Sequence, residues 1–282
     1  MPFKAGFYYS LHEGGKPEQK PVILIHGAGS SHLFWPAEIR RLTGHTVLAL
    51  DLPGHGHSDG VGFQSVSDYS GAITEFLAAM GIFKAAFVGH SLGGAIALQL
   101  ALDFPQHVIG IGVVSGGANF NLPPELITYL SGQATAAAGR QMVQDRLACA
   151  FTPQNVSNAG VKSMLAARPS VLYGDWLACS RFDLHDQLQK INTPAYVACG
   201  REDRVTTQSQ AHFLSTSLPI ARLDVIRNAG HLLPIEQPTL LAAGLKQFVD
   251  DLLAWHAQYP LRAEFPSTLA DVPRPKDKTQ KE

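Results

Sequence analysis

Short runs of aliphatic residues recur along this chain and are separated by stretches with helical spacing. Val22-Ile23-Leu24-Ile25, Val47-Leu48-Ala49-Leu50, Ala85-Ala86-Phe87-Val88 and the run from Val108 to Val114 offer little alternation of polar and apolar side chains. A strand with no polar face must be covered on both sides, which is the situation at the centre of a parallel sheet. The pattern predicts strands over residues 21–26, 46–51, 85–90, 108–115, 194–200 and 222–226. Helices are predicted over residues 33–42, 67–80, 91–104 and 238–258, the last with the apolar stripe Leu241, Leu245, Phe248, Leu252 and Trp255. Strand, helix, strand in repetition implies right-handed crossovers and an α/β, mostly parallel, doubly wound sheet.

Between residues 119 and 190 the rhythm stops: no strong strand is legible, and Ala, Gln, Leu and Met recur at helical spacing. This segment reads as a helical insertion into one α/β domain formed by residues 1–118 and 191–260. Residues 261–282, Pro-rich and then charged, read as a solvated tail.

Composition excludes several classes of function. Lys and Arg total 22 against 23 Asp and Glu, so there is no general charge excess for nucleic acid or an anionic membrane. Charged residues make up 16% and hydrophobic residues 45%, which suits a large buried core. Cys149, Cys179 and Cys199 are too scattered for a disulfide framework or a thiolate zinc site. With no signal peptide pattern and no long apolar run, the expected setting is cytoplasmic.

Gly89-His90-Ser91-Leu92-Gly93 is a G-x-S-x-G pattern, weak by itself but placed between a predicted strand and a predicted helix. A serine on so sharp a turn exposes its hydroxyl, and flanking glycines relieve the crowding there. The following helix start also aims free N–H groups at developing negative charge. A nucleophile of this kind needs a base, a group to orient the base, and an oxyanion site. His26-Gly27-Ala28-Gly29 follows the first of the apolar strands, and the Ala28 and Leu92 amides are the expected oxyanion donors, with His26 holding the loop. Gly200-Arg201-Glu202-Asp203 and Asn228-Ala229-Gly230-His231 follow two later strands and bring carboxylates and an imidazole to the same edge.

Taken with Asp51-Leu52-Pro53-Gly54-His55-Gly56-His57-Ser58, these motifs make the chain resemble the esterase/lipase-like α/β-hydrolase superfamily. The likeness runs from about residue 21 to residue 258, in the family's order of Ser, Asp and His. It implies the α/β-hydrolase fold, with residues 119–190 as a helical cap. It also implies Ser91 as nucleophile, His231 as base and Asp203 as orienter, with no cofactor. Glu202 is the close competitor of Asp203. His212 and His256 lie in helical patterns and Asp224 inside a strand, while residues 115–119 carry no carboxylate.

His55-Gly56-His57-Ser58-Asp59 partly matches a metallo-hydrolase pattern, but Gly60 stands where its final histidine belongs, so no metal is expected. The expected substrate is a small-molecule carboxylic ester or lactone with a small or medium apolar acyl group. Leu33, Phe34, Trp35, Trp176, Leu232 and Leu233 are available to line its pocket. Carbon–carbon bond hydrolysis and haloperoxidase or perhydrolase chemistry use the same triad. A slow-turnover hydrolase-fold receptor is the alternative from another functional class.

Overall fold

A computed structural model describes residues 2–16, 18–164 and 167–258. Its single sheet has eight strands: β1 (Phe3–Lys4), β2 (Phe7–Glu13), β3 (Val22–Ile25), β4 (Thr46–Leu50), β5 (Ala85–His90), β6 (Val108–Val114), β7 (Ala195–Gly200) and β8 (Ala221–Ile226). They lie in the order β1-β2-β4-β3-β5-β6-β7-β8. From β4 to β8 every pairing is parallel, and β1 and β2 add two antiparallel pairings at one edge.

Those two edge strands are absent from the strand pattern expected above. In β2, Phe7 is buried but most of the other residues are half-buried or exposed, so the run carries no uniform apolar signal. What makes it a strand is pairing with the already formed β4, from Tyr9 opposite Leu50 to Glu13 opposite Thr46. The helix expected over residues 33–42 also needs correction. It is a 3-10 turn, His32–Phe34, followed by the short α1 (Ala37–Arg40). Pro36 lies between them, and a proline pushes the residue before it out of helical geometry.

Two helices flank the first half on one face: α2 (Val66–Met80) and α3 (Leu92–Asp103). The Ser65 hydroxyl caps α2 by accepting the Asp68 N–H at 3.1 Å, and Gly81 closes it with a left-handed φ of 68°. Among the described residues four α-helices lie between β6 and β7: α4 (Glu125–Ser131), α5 (Ala136–Leu147), α6 (Gln154–Met164) and α7 (Pro169–Arg181), followed by a 3-10 turn, His185–Lys190. Then come α8 (Gln208–Ser217), α9 (Leu233–Glu236) and α10 (Pro238–Gln258).

The sheet separates two apolar cores. One includes Ile23, Phe87, Ile96, Ile73 and Phe76, with α2 and α3; the other includes Val22, Val88, Ile39 and Phe248, with α1 and α10. Leu241, Leu245, Phe248 and Leu252 of the α10 stripe are all buried, each contributing roughly 1.5–3 kcal/mol. The side chains of Trp255 and His256, and the whole segment 261–282, lie outside the described residues. No helix among the described residues is long and apolar enough to cross a membrane.

The strand order sets the position of the site. β3 has β4 on one side and β5 on the other, so the loops leaving β3 and β5 diverge and open a crevice at the carboxyl edge.

Candidate active site

Ser91 sits between β5 and α3 with φ 53° and ψ −115°, a conformation that costs a non-glycine residue about 1–3 kcal/mol. Its N–H is anchored on the Val114 carbonyl at 2.9 Å, so the strained turn is held by the neighbouring strand. The flanking glycines are needed for close approach. A Cβ on Gly93 would lie 2.2 Å from the Ile25 carbonyl oxygen, and one on Gly89 would lie 1.9 Å from that of Gly93. The motif therefore packs backbone on backbone, wedging the turn against the end of β3.

The structure brings Ser91, His231 and Asp203 into one hydrogen-bonded line. His231 Nε2 is 3.0 Å from Ser91 Oγ, and His231 Nδ1 is 2.9 Å from Asp203 Oδ2. An ionised carboxylate only accepts, so the ring proton sits on Nδ1 and Nε2 is free to accept from the serine hydroxyl. All three residues are buried, Ser91 being 3% exposed. The Asp203 oxygens also accept the Val205 N–H at 2.8 Å, the Thr206 N–H at 3.0 Å and the Thr206 hydroxyl at 3.0 Å. Burial raises the Asp203 carboxyl, but the His231 charge and hydrogen bond and the two amides outweigh it, leaving it below the ordinary carboxylate value.

Glu202, the competitor, points elsewhere. Its Oε2 accepts the Ala229 N–H at 3.1 Å, so it braces the histidine loop through backbone. Asp224 is engaged by Arg222 at 2.7 Å and the Tyr196 hydroxyl at 2.8 Å. His212 is exposed on α8.

Ala28 lies in the loop after β3 and Leu92 is the first residue of α3, so both amides follow strands at the carboxyl edge of the sheet. Among the described residues, neither N–H is donated to another group. Two neutral histidines fix the surroundings. His26 donates from Nδ1 to the Gly27 carbonyl at 2.8 Å and accepts the Leu52 N–H on Nε2 at 3.0 Å. Burial, with repulsion from His55, lowers its pKa to about 4. His90 donates from Nε2 to the His231 carbonyl at 2.8 Å, and burial followed by the His231 charge lowers it to about 3. Its buried Nδ1 has no hydrogen-bond partner among the described residues.

Of the side chains expected near the substrate, Phe34, Trp35, Trp176, Leu232 and Leu233 are buried, while Leu33 is 63% exposed and faces solvent. Trp176 lines a small cavity with Leu122, Leu126, Val143 and Val205, next to the turn that carries Asp203. His55 and His57 do not converge with Asp59: His55 binds Asp175 on α7, and the His57 N–H donates to Asp51. No group of three or more His, Cys, Asp or Glu among the described residues is arranged to hold a metal ion.

Sequence reading missed Asp175, Thr206 and Glu236. Glu236 accepts the Gly230 N–H at 2.8 Å, next to His231, and also binds the Thr152 hydroxyl. For Asp175 a signal existed. Val171, Asp175 and Cys179 recur every four residues on the buried stripe of α7, where an acidic residue needs partners.

This fold and this crevice are those of a known class. The sequence matches the Alpha/beta hydrolase family over residues 22–244, and the chain belongs to that family and is a hydrolase. A thermophilic esterase of known structure is 30% identical, with a TM-score of 0.74 over 88% of this chain and 95% of that one. The 3-oxoadipate enol-lactonase 1 of Acinetobacter baylyi is 27% identical over 233 residues, covering 79% of this chain and 86% of the relative. Monoacylglycerol lipase ABHD6 of Bos taurus is 24% identical over 278 residues, covering 89% of this chain and 80% of the relative.

Proposed function

We propose that this chain is a serine hydrolase that cleaves a carboxylic ester or lactone through an acyl-serine intermediate. The observation that carries the reading is the line from Asp203 through His231 Nδ1 and Nε2 to the hydroxyl of Ser91, 3.0 Å from the ring. The esterase and enol-lactonase relatives support the choice of bond.

His231 takes the Ser91 proton as Oγ attacks the substrate carbonyl, and the Ala28 and Leu92 N–H groups hold the oxyanion. The leaving oxygen departs with the proton from His231. A water deprotonated by the same imidazole then releases the acid and restores Ser91. Asp203, held by Val205 and Thr206, keeps the proton of neutral His231 on Nδ1 and offsets the charge of the imidazolium.

Helices α4–α7, within residues 119–190, act as the cap, and the substrate expected beneath them carries a small to medium apolar acyl group. Three free thiols, Cys149, Cys179 and Cys199, suit a reducing, cytoplasmic setting.

The test is turnover of p-nitrophenyl butyrate and a panel of lactones by the pure protein, with fluorophosphonate labelling read by mass spectrometry. Multiple turnover and a label on Ser91, both lost in Ser91→Ala, are expected. A single acylation burst without turnover would favour a receptor, and a label on another serine would move the nucleophile.

A further inference from the structure

Asp175 takes no part in the chemistry proposed above, yet it is fully buried and every oxygen is used. From α7 its Oδ2 accepts the Gly29 N–H at 2.7 Å and the His55 Nε2–H at 2.8 Å, while Oδ1 accepts the Tyr69 hydroxyl at 2.6 Å. One carboxylate thus joins α7, the loop after β3, the turn after β4 and α2. His55 Nδ1 also donates to the Pro53 carbonyl at 3.1 Å. Both partners of the ring are acceptors, so both nitrogens carry protons and the pair is an ion pair with no exposed side-chain surface. Burial pushes the His55 pKa down, but the Asp175 charge and hydrogen bond, with the Pro53 carbonyl, hold it above its ordinary value.

Replacing such a buried pair by well-packed apolar side chains is often neutral or stabilising, so packing alone does not account for it. What an apolar side chain cannot do is accept the Gly29 N–H. That amide belongs to the loop carrying Ala28, which has glycine on both sides and is intrinsically loose. The Gly27–Ala28 peptide plane contains the Ala28 N–H, and its carbonyl is held by His26 at 2.8 Å and by the Ser30 N–H at 3.2 Å. The next plane, Ala28–Gly29, is held by Asp175. The two brackets together fix both dihedrals of Ala28 and hence the direction of its N–H.

We propose that Asp175 is a positioning residue of the oxyanion hole, through which the cap helix α7 aims the Ala28 N–H at the reacting carbonyl. This rests on the serine-hydrolase reading given above. Deleting one oxyanion donor costs about 10²–10³ in kcat, and misaiming one belongs at the low end of that range.

The experiment compares Asp175→Asn, Asp175→Glu and Asp175→Leu with the parent enzyme, using p-nitrophenyl butyrate and a trifluoromethyl ketone that forms a hemiketal oxyanion with the serine. Asn keeps an oxygen where Oδ2 lies and gives up the charge; Glu keeps the charge and displaces the oxygens. The expected order of kcat is Asp, then Asn within about fivefold, then Glu, then Leu lower by about 10²-fold. KM stays within about twofold, and trifluoromethyl ketone affinity falls in parallel with kcat/KM.

Were Asp175 only the counter-ion of His55, Glu would outperform Asn, and that order overturns the proposal even if Asp175→Leu does not fold. A folded Asp175→Leu enzyme with kcat within about twofold of the parent also overturns it. Absence of turnover and of a Ser91 label in the parent enzyme would instead sink the serine-hydrolase reading.

Discussion

Acid should unfold this protein well above the pH at which its carboxylates protonate, because two buried histidines cannot accept a second proton. His90 donates to the His231 carbonyl from Nε2, and its other nitrogen has no acceptor among the described residues. His26 already receives the Leu52 N–H on Nε2, so a proton there would set two N–H groups against each other. Their folded values are about 3 and about 4, against 6.5 for a free histidine. The unfolded chain therefore binds two protons that the folded chain refuses between pH 6.5 and about 4, and stability falls as pH falls. Each such proton is worth about 1.4 kcal/mol per pH unit, so the pair contributes a slope of about 2.7 kcal/mol per unit. Going from about pH 6.5 to about pH 4.5 costs about 5 kcal/mol, comparable to the whole stability of many domains.

Other groups act in different directions or different windows. His45, lowered mainly by burial, adds to the slope, and Glu236, raised by burial, opposes it at the acid end. Asp203 is depressed, so its contribution is lost only below the ordinary carboxylate range. His55 is raised, so its contribution is complete below 6.5 and is lost as pH rises through its folded value. Substituting His90→Gln isolates one histidine, since glutamine retains a donor for the His231 carbonyl and does not titrate. Urea unfolding followed by circular dichroism between about pH 4.5 and about pH 7 gives the slopes. The variant should lose about 1.4 kcal/mol per pH unit of slope. Equal slopes in the two proteins would refute the reasoning.

Asp203→Asn should lower kcat by about 10⁴, as the loss of the orienting carboxylate does in serine proteases, whereas Glu202→Gln should retain most activity because its partner is the Ala229 amide. Steady-state kinetics on a p-nitrophenyl ester decide this, and the reverse ranking would make Glu202 the orienter. Gly93→Ala should abolish activity or folding, since its Cβ would meet the Ile25 carbonyl at 2.2 Å. A soluble, active Gly93→Ala protein would contradict that packing.

The central strands were legible because burial on both faces leaves a purely aliphatic run, and β5 lies at residues 85–90 as the pattern predicts. The turn after it was legible because its glycines are required by backbone contact at Ile25 and Gly93. What sequence hid was whatever depends on a distant partner. β2 is a strand because β4 is beside it, and Pro36 divides what spacing alone reads as one helix. The place of Asp175 on the stripe of α7 signals its burial but not its partner, the Gly29 N–H 146 positions away. Glu236 was hidden likewise, since it binds Thr152 from 84 positions away, whereas Thr206 binds Asp203 within one turn, a local contact that residue type alone does not announce.

Two of the helices proposed as the cap are tied to the loops where the chemistry is proposed. Leu147, at the end of α5, accepts the His231 N–H at 3.1 Å, and Asp175 holds the Gly29 N–H. For anyone recombining parts of related enzymes, this makes residues 119–190 a poor modular cassette. A foreign roof would arrive without the carbonyl and the carboxylate that the ground floor expects, and the chimera would lose rate before it changed preference. Recombination that leaves Leu147 and Asp175 in place, and varies the rest of the proposed cap, is the route along which turnover should survive.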